Sequence, residues 1–129
     1  MAIVTIKNDT CTAQVDTMGA QLLSMRFDDR EYLWQRDERW WGRTSPILFP
    51  IVGNIRGGEA MSEQGPCHMK QHGVARNYEH RVADVAADGT SVTFELCDSS
   101  ETREQYPYAF RLNMTYALVG EATLAQTFS

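Results

Sequence analysis

Arg111-Leu112-Asn113-Met114-Thr115-Tyr116-Ala117-Leu118 decides the fold class. Its large apolar residues fall at every second position, so Leu112, Met114, Tyr116 and Leu118 share one face of an extended chain. A helical period would spread them around the axis. Upstream, Ser91–Leu96 repeats the pattern with Val92, Phe94 and Leu96, and Glu79–Val85 reads as a further strand. Ala87-Asp88-Gly89 supplies the tight turn between those two, with Gly89 free to take a positive φ. Downstream, Gly120-Glu121 reads as a hairpin turn and Ala122–Phe128 as the start of a return strand.

The first third of the chain carries the same signal. Ala2, Val4 and Ile6 oppose Ile3, Thr5 and Lys7. A turn is expected near Asn8-Asp9, followed by a strand over Cys11–Val15. Gly19–Phe27 alternates again, placing Ala20, Leu22, Ser24 and Arg26 opposite Gln21, Leu23, Met25 and Phe27. After the polar turn Asp28–Glu31, Tyr32-Leu33-Trp34 reads as a short aromatic strand with Trp34 in the core. Helix is confined to Ser99–Tyr106, where a serine can cap the start, Glu101 suits the first turn and Pro107 ends it. Asp98 and Glu101 are assigned to that cap. The expected class is an all-β antiparallel sandwich with at most one short helix. The return strand stops near Ser129, which suggests a sheet cut partway through, with an open edge and an uncovered apolar face.

Composition narrows the function. The 129 residues carry 12 Lys and Arg against 17 Asp and Glu, a formal charge of −5, with no basic run. Nucleic acid and anionic lipid are poor partners for such a surface. No apolar run approaches the roughly 18 residues that cross a membrane, and the N-terminus lacks the pattern of a signal peptide. Cys11, Cys67 and Cys97 are odd in number and widely spaced, which fits free thiols in a cytoplasmic protein.

The stretch from Trp40 to Asn77 departs from alternation. Prolines at 46 and 50 flank an apolar run, and glycines cluster around Asn54 and Arg56. Glu59 and Glu63 lie in a polar loop. Cys67, His68 and His72 raise a zinc site, but a fourth ligand is missing from the pattern, so no metal and no cofactor is expected. Trp40 and Trp41 are open between core packing and stacking on a sugar face. His72 is open between a turn-stabilising role and a site role. Arg43 and Arg76 are open between surface ion pairs and ligand contacts, and Arg56 between solvent and ligand.

Trp41-Gly42-Arg43-Thr44-Ser45-Pro46-Ile47-Leu48-Phe49-Pro50-Ile51-Val52-Gly53, followed by Gln71-His72-Gly73-Val74-Ala75-Arg76, closely resembles the aldose 1-epimerase (galactose mutarotase-like) family, in its LacX-type and hexose-6-phosphate-epimerase-like branches. Gly19-Ala20-Gln21-Leu22, Phe94-Glu95-Leu96 with Asp98–Thr102, and Tyr106–Phe110 extend the resemblance along the chain. It implies that residues 1–129 form the N-terminal half of a large β-sandwich whose concave face binds an aldose. It further implies that His72 assists near the ring oxygen, that Arg56 contacts sugar hydroxyls, and that Arg76 lies near the phosphate of a phosphosugar. Arg43, in the same run, is a further substrate-binding candidate.

Family chemistry interconverts anomers. One group takes the proton of the anomeric hydroxyl while another protonates the ring oxygen. The resemblance assigns those steps to a late Glu and to a second-half His set in a Pro-x-Phe-Asn pattern, and neither is in this sequence. The expected reading is an aldose 1-epimerase-like protein, with hexose or hexose phosphate as ligand, whose 129 residues are inactive alone. The alternatives are a non-catalytic carbohydrate-binding module and a fragment that pairs with a second copy or with a separate C-terminal half.

Overall fold

The structure, a computed structural model, describes Met1–Ser129. Strands β1 (Ile3–Lys7), β2 (Cys11–Asp16), β3 (Gln21–Phe27) and β4 (Arg30–Glu31) form one sheet in that order. A two-stranded hairpin, β5 (Ala60–Ser62) and β6 (Gly65–Cys67), stands apart. Strands β7 (Arg81–Val85), β8 (Ser91–Cys97), β9 (Arg111–Val119) and β10 (Thr123–Phe128) form a second sheet, in the order β10-β9-β8-β7. Every strand pair is antiparallel. The only α-helix, α1 (Ser100–Gln105), joins β8 to β9.

The two sheets pack face to face as an all-β sandwich. Ile6, Cys11, Ala13, Val15 and Leu22 from the first sheet meet Val92, Phe94, Leu96, Leu112, Met114, Tyr116 and Leu118 from the second in one apolar cluster. Tyr116 ties the layers together through its hydroxyl, which donates to the Ala20 carbonyl at 2.7 Å. Burial drives its phenol pKa upward, so it stays protonated and keeps that donor. Helix α1 is capped as its sequence suggests. Ser99 Oγ accepts from the Thr102 amide, while Thr102 Oγ1 accepts from the Ser99 amide. Asp98 stands outside the cap; it accepts from the Phe110 amide and pairs with Arg103.

Three local expectations change. In β3 the strict alternation fails at Leu23. Gln14 pairs with Ser24 but Val15 with Leu22, so one extra residue sits on β3 and swaps its faces. Met25 and Phe27, opposite Ala13 and Cys11, therefore join Leu22 on the core side. Tyr32–Trp34 is not a strand. The Glu31 carboxylate accepts the amides of Met25, Tyr32 and Leu33 at 2.9, 3.1 and 3.3 Å, and the chain curls round it. Burial raises the pKa of that carboxyl, but the Ser24 hydroxyl and the three amides outweigh it and hold the group below the usual range. Trp34 consequently leaves the core. It is 45% exposed, and its indole N–H donates to the Trp41 carbonyl at 2.8 Å. Finally, the polar loop holding Glu63 is the turn of the β5–β6 hairpin, and β7 begins at Arg81, two residues later than expected.

His80, next to that start, is 2% exposed. Its ring Nδ1 lies 3.0 Å from the Tyr78 carbonyl, and its Nε2 is buried with no partner. Burial lowers its pKa, against smaller upward contributions from the Tyr78 carbonyl and the Glu79 carboxylate. The folded state thus takes up the proton less readily than the unfolded chain. Stability linked to His80 is whole above the ordinary value of 6.5 and shrinks as pH falls below it. Urea unfolding at about pH 7.5 and about pH 5.5 is expected to show lower stability at the acid end, and His80→Gln is expected to flatten that difference.

Candidate functional site

The irregular stretch between the two sheets is organised by Phe49. Its amide donates to the His72 carbonyl at 3.2 Å, and its own carbonyl accepts from the Val74 and Ala75 amides at 2.8 and 3.3 Å. Its ring lies 5.1 Å from that of Phe110 and meets Tyr106 edge-on at 6.4 Å. With Val74, Cys67 and Met69 these rings make a second, smaller core under α1. The crossing requires a glycine at 73. Gly73 has φ +79°, and a Cβ there would lie 2.3 Å from the Phe49 carbonyl oxygen.

This crossing presents His72. The residue is half-buried with φ +66°, and Gly53 holds it from the other side. The His72 amide donates to the Gly53 carbonyl at 2.8 Å, and the Gly53 amide donates to His72 Nδ1 at 2.9 Å. With the Nδ1 lone pair engaged, the neutral ring carries its proton on Nε2. The neutral ring then has its Nε2–H left as a donor.

The start of β3 gathers the arginines. Gly19 donates to the Tyr78 carbonyl at 2.8 Å, and a Cβ on it would lie 2.7 Å from the Arg76 carbonyl oxygen. Two residues on, Gln21 Oε1 accepts from the Thr44 and Ser45 amides at 3.0 and 3.4 Å. The segments bearing Arg76 and Arg43 are thus fastened to the same three residues. Both arginines are partly buried. Burial, and then the like charge of Arg43, lower the pKa of the Arg76 guanidinium. Neither side chain forms an ion pair, although Arg39, Arg81, Arg103 and Arg111 all find carboxylates within 4.0 Å. Ion pairing, one of the two readings left open for Arg43 and Arg76, is not their arrangement.

Arg56 is exposed at the start of a 3₁₀ turn, Arg56–Gly58, and makes no hydrogen bond or ion pair with the protein. The concave hollows of the surface are lined by residues other than Arg43, Arg56, His72 and Arg76. Arg43 and Arg76 are brought together, whereas no hydrogen bond or ion pair joins His72 or Arg56 to them. No three His, Cys, Asp or Glu side chains converge as a metal site would need. No helix is long and apolar enough to cross a membrane. Sequence reading gave no role to Gln21 or Phe49, and both prove to be positioning residues. The Gln21 signal was a polar side chain at the start of an apolar strand.

The family model for aldose 1-epimerase matches residues 2–129. The chain belongs to this family. Protein LacX of Lactococcus lactis subsp. lactis, in its plasmid form, is 35% identical over 125 residues, spanning 92% of this chain and 41% of LacX. A galactose mutarotase-related enzyme of Lactobacillus acidophilus superposes with a TM-score of 0.92 at 34% identity, covering 98% of this chain and 42% of that one. A galactose mutarotase-like protein of Lactobacillus casei gives 0.92 at 32% identity, covering 98% and 43%. These 129 residues span about two fifths of each epimerase-family relative.

The crossing yields a paired stability test. Gly53 has φ +81° with open space around its Cα, whereas Gly73 has φ +79° against the Phe49 carbonyl. Gly53→Ala is expected to cost about 1–2 kcal/mol from backbone strain alone. Gly73→Ala is expected to cost clearly more, about 3 kcal/mol or above, because backbone must also move. Urea denaturation of the two variants checks the ranking, and equal losses would remove the steric claim.

Proposed function

We propose that these 129 residues supply one wall of the sugar site of an aldose 1-epimerase-like protein, with a hexose or hexose phosphate as ligand. The observation that carries this reading is that Arg43 and Arg76, partly buried and on segments both fastened to Gly19–Gln21 at the start of β3, are neither of them matched by a carboxylate. Like charges held together without a counter-ion weaken the fold, and an anion placed between them relieves the repulsion. A phosphate ester offers that charge and the oxygen geometry that guanidinium forks bind.

In this reading the His72 Nε2–H donates to the ring oxygen of the sugar, and Arg56, from its turn, reaches hydroxyls at the rim. Mutarotation needs a base at the anomeric hydroxyl as well as an acid at the ring oxygen, each contributing roughly 10²–10⁴-fold. His72 serves one side of that requirement. His80 is buried with its Nε2 enclosed, and His68 lies in the connection after β6. The base and the principal acid belong to the part of the family fold outside these residues. The chain on its own is accordingly a binder without turnover, which is also what the reading as a non-catalytic carbohydrate module expects.

NMR titration of the chain with glucose, galactose and glucose 6-phosphate tests the proposal. The phosphate ester is expected to bind at least about tenfold more tightly than the parent sugar, and Arg76→Gln is expected to erase most of that advantage. The same variant is expected to melt no lower than the wild type, since it relieves repulsion with Arg43. Equal affinity for glucose and its 6-phosphate sinks the phosphate assignment. No response near His72 and Arg76 to any of the three at millimolar concentration sinks the sugar site. Anomer exchange by the isolated chain, lost in His72→Ala, would contradict the division of labour.

A further inference from the structure

We propose that Tyr116, buried in the core, is a positioning residue for the two unpaired arginines: its hydroxyl pins the turn Gly19–Gln21, to which the segments of both Arg43 and Arg76 are fastened. The inference rests on the sugar-site reading above and names a residue on which the preference for a phosphate ester depends.

The choice of side chain is the first observation. Every other buried position on the core face of β8 and β9, from Val92 to Leu118, is apolar. Tyr116 is 0% exposed on that face and adds its one hydroxyl. A phenylalanine would fill the ring's space, and a hydroxyl taken into an apolar core is costly unless it is bonded. Here it is bonded on both sides. It donates to the Ala20 carbonyl at 2.7 Å and accepts from Gln126 Nε2 at 3.2 Å.

The second observation is the turn that receives the bond. No amide of the turns and loops donates to the Ala20 carbonyl. Ala20 is fully buried at φ +46° and follows Gly19 at φ +74°. Two consecutive left-handed residues lead the chain into β3, and only the first is a glycine. The Ala20 amide is held at 3.4 Å from the Thr17 carbonyl, a longer bond than the one on its carbonyl. A buried residue in a costly conformation is thus held by a phenol from the opposite sheet.

The third observation is what hangs from this turn. On one side of Ala20, the Gly19 amide donates to the Tyr78 carbonyl at 2.8 Å, and a Cβ on Gly19 would lie 2.7 Å from the Arg76 carbonyl oxygen. On the other side, Gln21 Oε1 accepts from the Thr44 and Ser45 amides, next to Arg43. The Ala20 carbonyl belongs to the peptide that joins these two anchors. Rotation of that peptide would swing the Gln21 side chain, and the Arg43 segment with it, relative to the Arg76 segment on Gly19. The phenol bond opposes that rotation. A phosphate bound by two guanidinium groups needs both at set places, because each fork binds oxygens directionally. A neutral sugar makes no such demand.

Tyr116→Phe removes the hydroxyl and keeps the ring. Leu112→Ala, on the same strand and face, is the control, since it loosens the core without touching the turn. Amide exchange followed by NMR in the free chain reads positioning directly. Thr44 and Ser45 are expected to exchange at least about tenfold faster in Tyr116→Phe and at the wild-type rate in Leu112→Ala. Titration with glucose 6-phosphate and with glucose reads specificity. A preference of about tenfold for the ester in the wild type is expected to fall at least about threefold in Tyr116→Phe and to survive in Leu112→Ala. Adding Ala20→Gly to Tyr116→Phe releases the left-handed strain. That double variant is expected to fold with the preference still lost, and it decides the matter if Tyr116→Phe alone fails to fold. Unchanged exchange at Thr44 and Ser45 without the hydroxyl overturns the proposal. So does a preference lost equally in Leu112→Ala, which would make Tyr116 a packing residue only. A wild type that binds glucose and its 6-phosphate equally sinks the phosphate reading instead, and the exchange rates alone then decide whether Tyr116 holds the arginine segment.

Discussion

The close approach of Gly73 to the Phe49 carbonyl is the contact on which the candidate site depends. Two irregular segments cross there with backbone against backbone, and a side chain at 73 would occupy the space of the carbonyl oxygen. That proximity lets Phe49 accept two amides and donate a third, so three polar groups of a buried connection are satisfied at one residue. It also sets the Phe49 ring against Phe110 and Tyr106, which anchors the crossing to the second sheet. His72 gains its orientation from the same place. A histidine at φ +66° costs conformational energy, and the amides of Gly53 and Phe49 on either side of it are what hold it there.

Electrostatics divides the surface into settled and unsettled regions. Glu95 is shared by Arg81 and Arg111, and Asp98 is held by Arg103 and the Phe110 amide; these carboxyls sit below their usual range because cations and amide donors outweigh the cost of burial. A chain with 17 acidic residues has ample means to neutralise its arginines. At Arg43 and Arg76 it does not. Their segments are fastened to the start of β3 through Gly19 and Gln21, and burial, then the charge of Arg43, lower the pKa of Arg76. The two guanidinium groups stand without the carboxylate partner that the paired arginines of the surface have.

Much of this was legible in the sequence because the strands obey one period. Arg111–Leu118 and Ser91–Leu96 alternate without fault, and the structure buries the faces so marked. Alternation misled where a local event interrupted it. One extra residue at Leu23 moved Met25 and Phe27 to the core side, and period counting has no means of placing a bulge. Tyr32–Trp34 had strand-forming residues, but the Glu31 carboxylate took the amides a ladder would have used, and Trp34 went to the surface. At the site, the sequence motif marked His72 and Arg76 by residue type. It carried no information on the Nδ1 bond that fixes the His72 tautomer, nor on the influence of Arg43 on Arg76, because both arise between residues well separated in the chain.

A sugar-sized ligand is bound in a concavity that buries most of its surface, and polar groups on one wall cannot supply that enclosure. Arg43, Arg56, His72 and Arg76 line none of the hollows of the surface. At β10 the interior of the sandwich is uncovered, with Phe128 turned to the core side and left half in solvent.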